Sequence, residues 1–92
     1  MTPNRRIEIP EGVMVRELQG ESVLLNLDSE CYFGLDEVGT RMWNALASSA
    51  DTDAACEALT AEYDVAPERL RADLEDFVAR LARAGLVRVA PL

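Results

Sequence analysis

The chain has no histidine and no lysine among its 92 residues, so arginine supplies all nine of its basic side chains. A protein without histidine lacks the side chain most often used as a general base near neutral pH. The sequence also has no glycine-rich phosphate loop and no serine in a nucleophile-elbow motif. These absences predict a protein that is not an enzyme and that uses no cofactor.

Cysteine is scarce, and the two that occur, Cys31 and Cys56, are far apart in the sequence. Two separate thiols do not form a metal site when no histidine completes the ligand set. Neither cysteine has a neighbouring base that would activate it as a nucleophile. We therefore expect no metal site, and we expect both thiols to be reduced and structural, as small apolar residues of the core.

No apolar run approaches the length needed to span a bilayer, and no basic start precedes an apolar segment as in a signal peptide. We expect a cytoplasmic protein with no membrane partner. Seventeen acidic residues against nine basic ones give a formal net charge of −8. Nucleic-acid binders usually present a basic face to the phosphates, so a nucleic-acid partner is disfavoured.

The first half of the chain has strand signals at residues 13–18, 22–28 and 31–35. Short turn-forming links join them, which predicts a three-stranded antiparallel sheet. In the middle strand Val23, Leu25 and Leu27 fall on one face, which we expect to be the core face, whereas Asn26 and Asp28 fall on the other. Residues 7–9 suggest a short extra strand. Residues 1–6 have no apolar period and are expected to form a flexible tail.

The second half predicts three helices. Asp36 is placed to cap a helix over residues 37–47, and a second helix covers residues 53–63. Pro67 suits the first turn of a third helix, and Gly85 supplies the left-handed residue that ends it. Residues 86–90 can add a terminal strand. The sequence thus predicts one α+β domain over residues 1–92, with a winged helix-turn-helix architecture and its sheet at the N-terminal end.

Two predicted surfaces are suited to a partner. Residues 31–35 form an edge strand, and a short apolar edge with free N–H and C=O groups can pair with another chain. The third helix has a second apolar side, where Arg71 and Glu75 flank Val78 and Ala82. That side is either a groove with charged rims or ordinary core edge covered by an arginine. Both surfaces favour a binding module over an enzyme.

Two segments, VLLNLDSECYFGLDEVGTRMWNAL and LTAEYDVAPERLRADLEDFVARLARAGLV, closely resemble the PqqD-like family of peptide-leader recognition elements. The resemblance covers residues 13–87, and the stand-alone proteins of lasso-peptide biosynthesis look most similar. It implies a winged-helix domain that binds the leader of a ribosomally made precursor peptide. The leader would add an antiparallel strand beside the third strand, with the third helix closing the groove. Lasso leaders typically offer a Tyr and, three residues on, a Pro.

The leader-binding residues that the resemblance implies come from the third strand and the third helix. They are Cys31, Tyr32, Phe33, Arg71, Asp73, Leu74, Glu75 and Val78. One of Tyr32 and Phe33 must face the core, because neighbouring residues of a strand point to opposite sides. On this interpretation Val78→Asp weakens leader binding in a domain that still folds.

The resemblance also implies partner enzymes: a leader peptidase of the transglutaminase-like cysteine type and an ATP-dependent macrocyclase. Holding the leader would leave the core peptide free for both enzymes and raise its effective concentration. One alternative is a PqqD-type peptide chaperone that serves a radical SAM enzyme. Others are a DNA-binding winged helix, which the acidic balance disfavours, and a structural subunit without peptide affinity.

Overall fold

The computed structural model describes residues 4–91 as five strands and three helices. In chain order these are β1 (Arg5–Glu8), β2 (Val13–Leu18), β3 (Glu21–Asn26), β4 (Cys31–Leu35), α1 (Glu37–Ser48), α2 (Thr52–Glu62), α3 (Pro67–Arg83) and β5 (Arg88–Pro91). The three-stranded antiparallel sheet has the order β2-β3-β4 and precedes the three helices, which confirms the predicted α+β fold. Over the described residues, no helix combines the length and the apolar character needed to cross a membrane.

Tight turns set the register of this sheet. Gln19 and Gly20 both have positive φ, at 55° and 84°, and join β2 to β3 with Leu18 opposite Glu21. Two positive φ values suit a two-residue hairpin, because their twist matches that of the flanking strands. In the next turn the Asn26 side-chain oxygen accepts hydrogen bonds from the backbone N–H groups of Asp28 and Ser29. These local bonds fix where β4 begins.

Two of the helices begin after capping aspartates, and a glycine ends the third. Asp36 accepts a hydrogen bond from the N–H of Gly39 at 2.7 Å, and Asp51 accepts one from Ala54 at 2.8 Å. The hydrogen bond from Ala54 is the main reason that the pKa of Asp51 lies below its ordinary value of 3.8. The capping contribution is therefore present above that value and is lost as the pH falls through the lowered pKa. Gly85, at φ 75°, ends α3.

The core lies between the sheet and the helices. Leu24 is its main contribution from β3, and Trp43 packs in it as an ordinary apolar residue. The helices add long apolar side chains at helical spacing, and Leu86 follows the turn after α3. The largest fully buried apolar side chains are Leu24, Leu59, Leu74, Val78, Leu81 and Leu86.

The core face of β3 is opposite to the predicted one. Ser22, Leu24 and Asn26 are buried, whereas Val23 is 45% exposed. Strand side chains alternate, so a shift of one residue exchanges the two faces. The buried polar groups are satisfied: the Asn26 amide donates to the Gly85 carbonyl at 2.8 Å, and the Ser22 hydroxyl lies 2.7 Å from that of Thr40. Hydrogen-bond partners from distant segments therefore outweigh the local polarity pattern.

The prediction of a flexible tail over residues 1–6 is wrong for the part that the structure describes. Arg5 and Arg6 belong to β1 and pair with Pro91 and Ala90 of β5, at the other end of the chain. The Asn4 side-chain oxygen accepts hydrogen bonds from the Thr52 hydroxyl and from the backbone N–H of Asp53. The first three residues lie outside the described part. No local pattern indicates this pairing, because both partners come from opposite ends of the sequence.

The buried hydroxyl pair gives a test of this sheet orientation. Thr40→Val is expected to lower the free energy of unfolding by about 1–2 kcal/mol, because it leaves the buried Ser22 hydroxyl without its partner. The double variant Ser22→Ala/Thr40→Val should recover part of that loss, since neither hydroxyl is then left unpaired. Urea unfolding of the two single variants and the double variant measures the coupling. Strictly additive costs would contradict the contact.

Candidate functional site

Both outer strands of the three-stranded sheet, β2 and β4, lack a second partner strand among residues 4–91, and the edge of β4 is the one that adjoins α3. β4 pairs with β3 on one side, and among residues 4–91 no strand pairs with its other side. Alternate residues of an edge strand point their N–H and C=O groups away from the sheet. The structure thus places residues 31–35 at a sheet edge, with main-chain groups available to an added strand.

A cavity of about 430 Å³ lies beside this edge. It is bounded by β4, by the first turns of α1 and by the middle of α3. Its apolar lining comes from Phe33 of β4, Val38 and Met42 of α1, and Phe77 of α3. Met42 and Phe77 are also core residues, so they form a fixed floor, whereas Val38 is 48% exposed. The cavity can accept apolar side chains from a strand laid along β4.

The rim of the cavity on α3 is charged. Asp73, Asp76 and Arg80 line it at spacings of three and four residues, which places them on one side of the helix. The Asp76 carboxylate lies 3.4 Å from the Arg80 guanidinium, and Asp73 lies 3.9 Å from Arg69. Exposed pairs of this kind contribute little to stability, so these groups can change partners when a ligand arrives.

Phe33 and Tyr32 lie on opposite faces of β4. Phe33 is half-buried and lines the cavity, whereas Tyr32 is 76% exposed on the outer face of the sheet. Phe33 is therefore the aromatic side chain of β4 that faces the cavity. Cys31, at the start of the strand, is exposed, and its thiol lies 3.8 Å from the Ser29 carbonyl.

Of the five α3 residues assigned to the groove through the resemblance, Asp73 lines the cavity. Leu74 and Val78 are buried in the core. Arg71 and Glu75 lie on the other side of α3, toward α2 and β1. Arg71, Leu74, Glu75 and Val78 do not line the cavity beside β4, because each residue turns the side chain about 100° around the helix axis. Their role in leader binding stays a prediction from the resemblance.

Arg71 connects α3 to α2. Its guanidinium contacts the carboxylate of Asp53 at 2.6 Å, the hydroxyl of Thr52 at 3.2 Å and the carboxylate of Glu75 at 3.2 Å. Glu75 also forms an ion pair with Arg5 of β1. The hydrogen bond to Asp53 is the main reason that the pKa of Arg71 is raised. This network ties the N-terminal strand and two helices together, away from the cavity.

Cys56 lies beside a second cavity, which it lines together with Thr60, Pro67 and Arg71. Burial raises the pKa of the Cys56 thiol above its ordinary value of 9.0, so the protonated form predominates near neutral pH. A protonated thiol is a poor nucleophile. Over residues 4–91, no group of three or more His, Cys, Asp or Glu side chains is arranged to hold a metal ion.

Sequence reasoning missed most of the residues that line the cavity beside β4. The helical spacing of Phe77, Val38 and Met42 indicates core packing and gives no sign that these residues line a cavity. The spacing of Asp73, Asp76 and Arg80 is visible in the sequence as one charged helix side. That signal alone does not show which other element faces it.

One family model and two solved structures match this chain. The profile of the family described as "Coenzyme PQQ synthesis protein D (PqqD)" matches residues 21–87. A solved structure described as "TbiB1 in Complex with the TbiA(beta) Leader Peptide" is 36% identical to this chain, with a TM-score of 0.83 and coverage of 88% of this chain and 94% of that one. A search of curated proteins gave no significant match.

A second solved structure is described as "Lasso peptide synthetase B1 complexed with the leader peptide". It is 20% identical, with a TM-score of 0.79, and the alignment covers 90% of this chain and 98% of that one. At this identity the likeness shows a shared fold.

Proposed function

This chain belongs to the PqqD family, and on that basis we propose that it binds the leader segment of a ribosomally made precursor peptide. The leader adds an antiparallel strand to the open edge of β4 and places its inward side chains in the cavity beside α3. The protein then presents the peptide to the leader peptidase and the macrocyclase of a lasso-peptide pathway, in the cytoplasm. It breaks no bond itself.

The observation that carries this proposal is the open edge of β4 directly beside a cavity that has apolar side chains at its floor and charged side chains at its rim. Strand addition uses main-chain hydrogen bonds for affinity, and pockets for alternate side chains provide specificity. The edge and the cavity supply these two requirements at one place. A protein 36% identical over most of the chain is described in complex with a leader peptide, which supports the same use here.

The proposed contacts divide by chemistry. One of the neighbours Cys31 and Tyr32 presents its backbone N–H and C=O groups at the free edge of β4, and Phe33 contributes its ring. The charged groups of α3 at the rim of the cavity select among side chains of the leader. Asp73 is one of these groups and keeps the leader-binding role that the resemblance implies. The further residues proposed for the site are Val38, Met42, Asp76, Phe77 and Arg80.

Retention of the leader makes the later encounter between enzyme and core peptide intramolecular. Effective concentrations of tethered partners reach the millimolar range for short flexible linkers. The resemblance also implies an alternative partner, a radical SAM enzyme in place of the lasso enzymes. Adding each enzyme class separately to the loaded complex distinguishes the two.

Fluorescence anisotropy with labelled leader peptides from neighbouring precursor genes tests the proposal. We expect saturable binding of the cognate leader, and we expect a Tyr→Ala leader to bind at least about tenfold more weakly, since it loses an aromatic anchor. Labelled duplex DNA serves as a second probe and should not bind. Absence of leader binding would overturn the proposal, and salt-sensitive DNA binding would favour the DNA-binding alternative.

A further inference from the structure

The side of α3 that faces away from β4 carries a connected set of polar contacts. The Glu75 carboxylate uses both of its oxygens there: one accepts from the Arg5 guanidinium of β1, and the other accepts from Arg71 at 3.2 Å. The Glu75 side chain is 13% exposed, so these two partners replace most of its hydration. One carboxylate thus joins β1 to α3.

Thr52, at the start of α2, is the second junction of this set. Its hydroxyl accepts hydrogen bonds from the backbone N–H of Arg5 at 3.0 Å and from the Arg71 guanidinium at 3.2 Å. It donates to the Asn4 side-chain oxygen at 3.1 Å. A hydroxyl has one donor and two acceptor positions, so all three are used, and Thr52 is fully buried. We call the whole set the rear network, and its members are Asn4, Arg5, Thr52, Asp53, Arg71 and Glu75.

The same turns of α3 carry the rear network and the rim of the cavity beside β4. Glu75 belongs to the network and Asp76 to the rim, and the two side chains point about 100° apart around the helix axis. The cavity lies between α3 and β4, so along it this side of the helix does not pack directly against the strand. The separation of α3 and β4 therefore depends on the core beneath the helix and on the contacts behind it.

β1 is the part of this arrangement that opens most readily. It is four residues long and pairs with β5, a strand of equal length, and with no other strand among the described residues. A two-stranded pair is marginally stable by itself, and chain ends open at low free energy. The Arg5 Nε is buried and has no hydrogen-bond partner within residues 4–91, so docking of β1 carries a desolvation cost. These features are typical of a segment that opens locally.

We propose that the rear network couples docking of β1 to leader binding, with Arg5, Arg71 and Glu75 as positioning residues for the groove. When β1 is docked, the network holds α3 at the distance from β4 that a bound strand requires. The leader in turn favours docked β1, because coupling between two sites is reciprocal. This inference rests on the proposed leader binding. It gives Arg71 and Glu75 an effect on the leader without contact.

Arg5→Met tests the coupling, because it removes the guanidinium from Glu75 and keeps a long unbranched side chain. The matched control is Arg6→Met, the same change one residue along β1, where the side chain is exposed and points to the other face of the strand. Both variants remove one positive charge. Arg5→Lys restores a positive charge at the first position. Anisotropy with the labelled leader of the neighbouring precursor gene measures affinity, and far-UV circular dichroism monitors the fold.

We expect Arg5→Met to bind the leader at least about fivefold more weakly than the wild type, which is the lower end of typical coupling between sites. Arg6→Met should bind like the wild type, and Arg5→Lys should recover part of the affinity. Wild-type affinity in Arg5→Met, or an equal loss in Arg6→Met, would overturn the coupling and leave leader binding intact. Failure of the wild type to bind any leader would remove the proposed function, and the coupling with it.

Hydrogen exchange of the wild type, followed by NMR, is a second test that does not depend on the folding of a variant. The Arg5 amide donates to Thr52, so its exchange reports release of β1. Relative to intrinsic rates, it should exchange faster than the Leu24 amide of the central strand, which reports global unfolding. A saturating leader should slow Arg5 exchange at least about fivefold. Unchanged Arg5 exchange with leader bound would contradict the coupling, as would Arg5 exchange as slow as that of Leu24 in the free protein.

Discussion

Val78→Asp is expected to lower the free energy of unfolding by about 4 kcal/mol, a large fraction of the roughly 5–15 kcal/mol typical of a domain. Val78 is 1% exposed and packs in the core between the sheet and α3. A carboxylate at this position would lose its hydration without gaining a partner. Urea unfolding followed by far-UV circular dichroism measures the change.

Ala79→Asp is the matched control, because it introduces the same side chain one residue further along α3, at an exposed position. Its effect should stay within about 0.5 kcal/mol, as for surface substitutions in general. If Val78→Asp were as stable as the wild type and bound leader more weakly, Val78 would belong to a surface groove. The side of α3 that carries Arg71 and Glu75 would then become the binding side.

Val78 was predicted to line a groove and is buried in the core. This difference shows which features of α3 the local spacing can predict. The spacing of Leu70, Leu74, Phe77 and Leu81 identifies a core stripe, and all four are buried. The boundaries of that stripe depend on what packs against each side. The Val78 side chain is buried in the core, whereas the side of α3 that carries Asp73 and Asp76 faces the cavity beside β4. A helical period gives the relative positions of side chains but not the neighbours of each side.

The sheet shows the same limit. Strand positions, turns and the capping Asp36 were predictable, because glycine, turn residues and caps act over a few residues. The core face of β3 was not, because Ser22 and Asn26 are buried through hydrogen bonds to Thr40 and Gly85. The pairing of β1 with β5 was missed for the same reason, since its partners are distant in sequence.

The site could be predicted only in part. Residues 31–35 form an edge strand in the sequence reading and in the structure, and Asp73 is shared by the implied site and the observed cavity. The sequence does not indicate Val38 as a site residue. It lies in the first turn of α1, and the link at Asp36 between β4 and α1 decides that this turn lies at the cavity. A site assembled from three elements needs their relative positions, which periodicity does not contain.

Val38→Glu is expected to weaken leader binding at least about tenfold, because it replaces an apolar lining side chain with a carboxylate beside Asp73 and Asp76. Binding would have to desolvate that charge, and the cavity already carries negative groups. The fold should persist, since Val38 is 48% exposed and a carboxylate in the first turn of α1 interacts favourably with the helix dipole. Anisotropy with the labelled leader and thermal unfolding measure the two effects.

Val65→Glu is the matched control, because it makes the same change at a valine that is 39% exposed in the link between α2 and α3. It should bind the leader like the wild type, since Val65 lies outside the cavity. Equal affinity of Val38→Glu and the wild type would place the peptide elsewhere on the domain. The two valine variants share a substitution and a similar exposure, so they differ chiefly in whether the new carboxylate lies at the cavity. Val38→Glu should lose the peptide, and Val65→Glu should keep it.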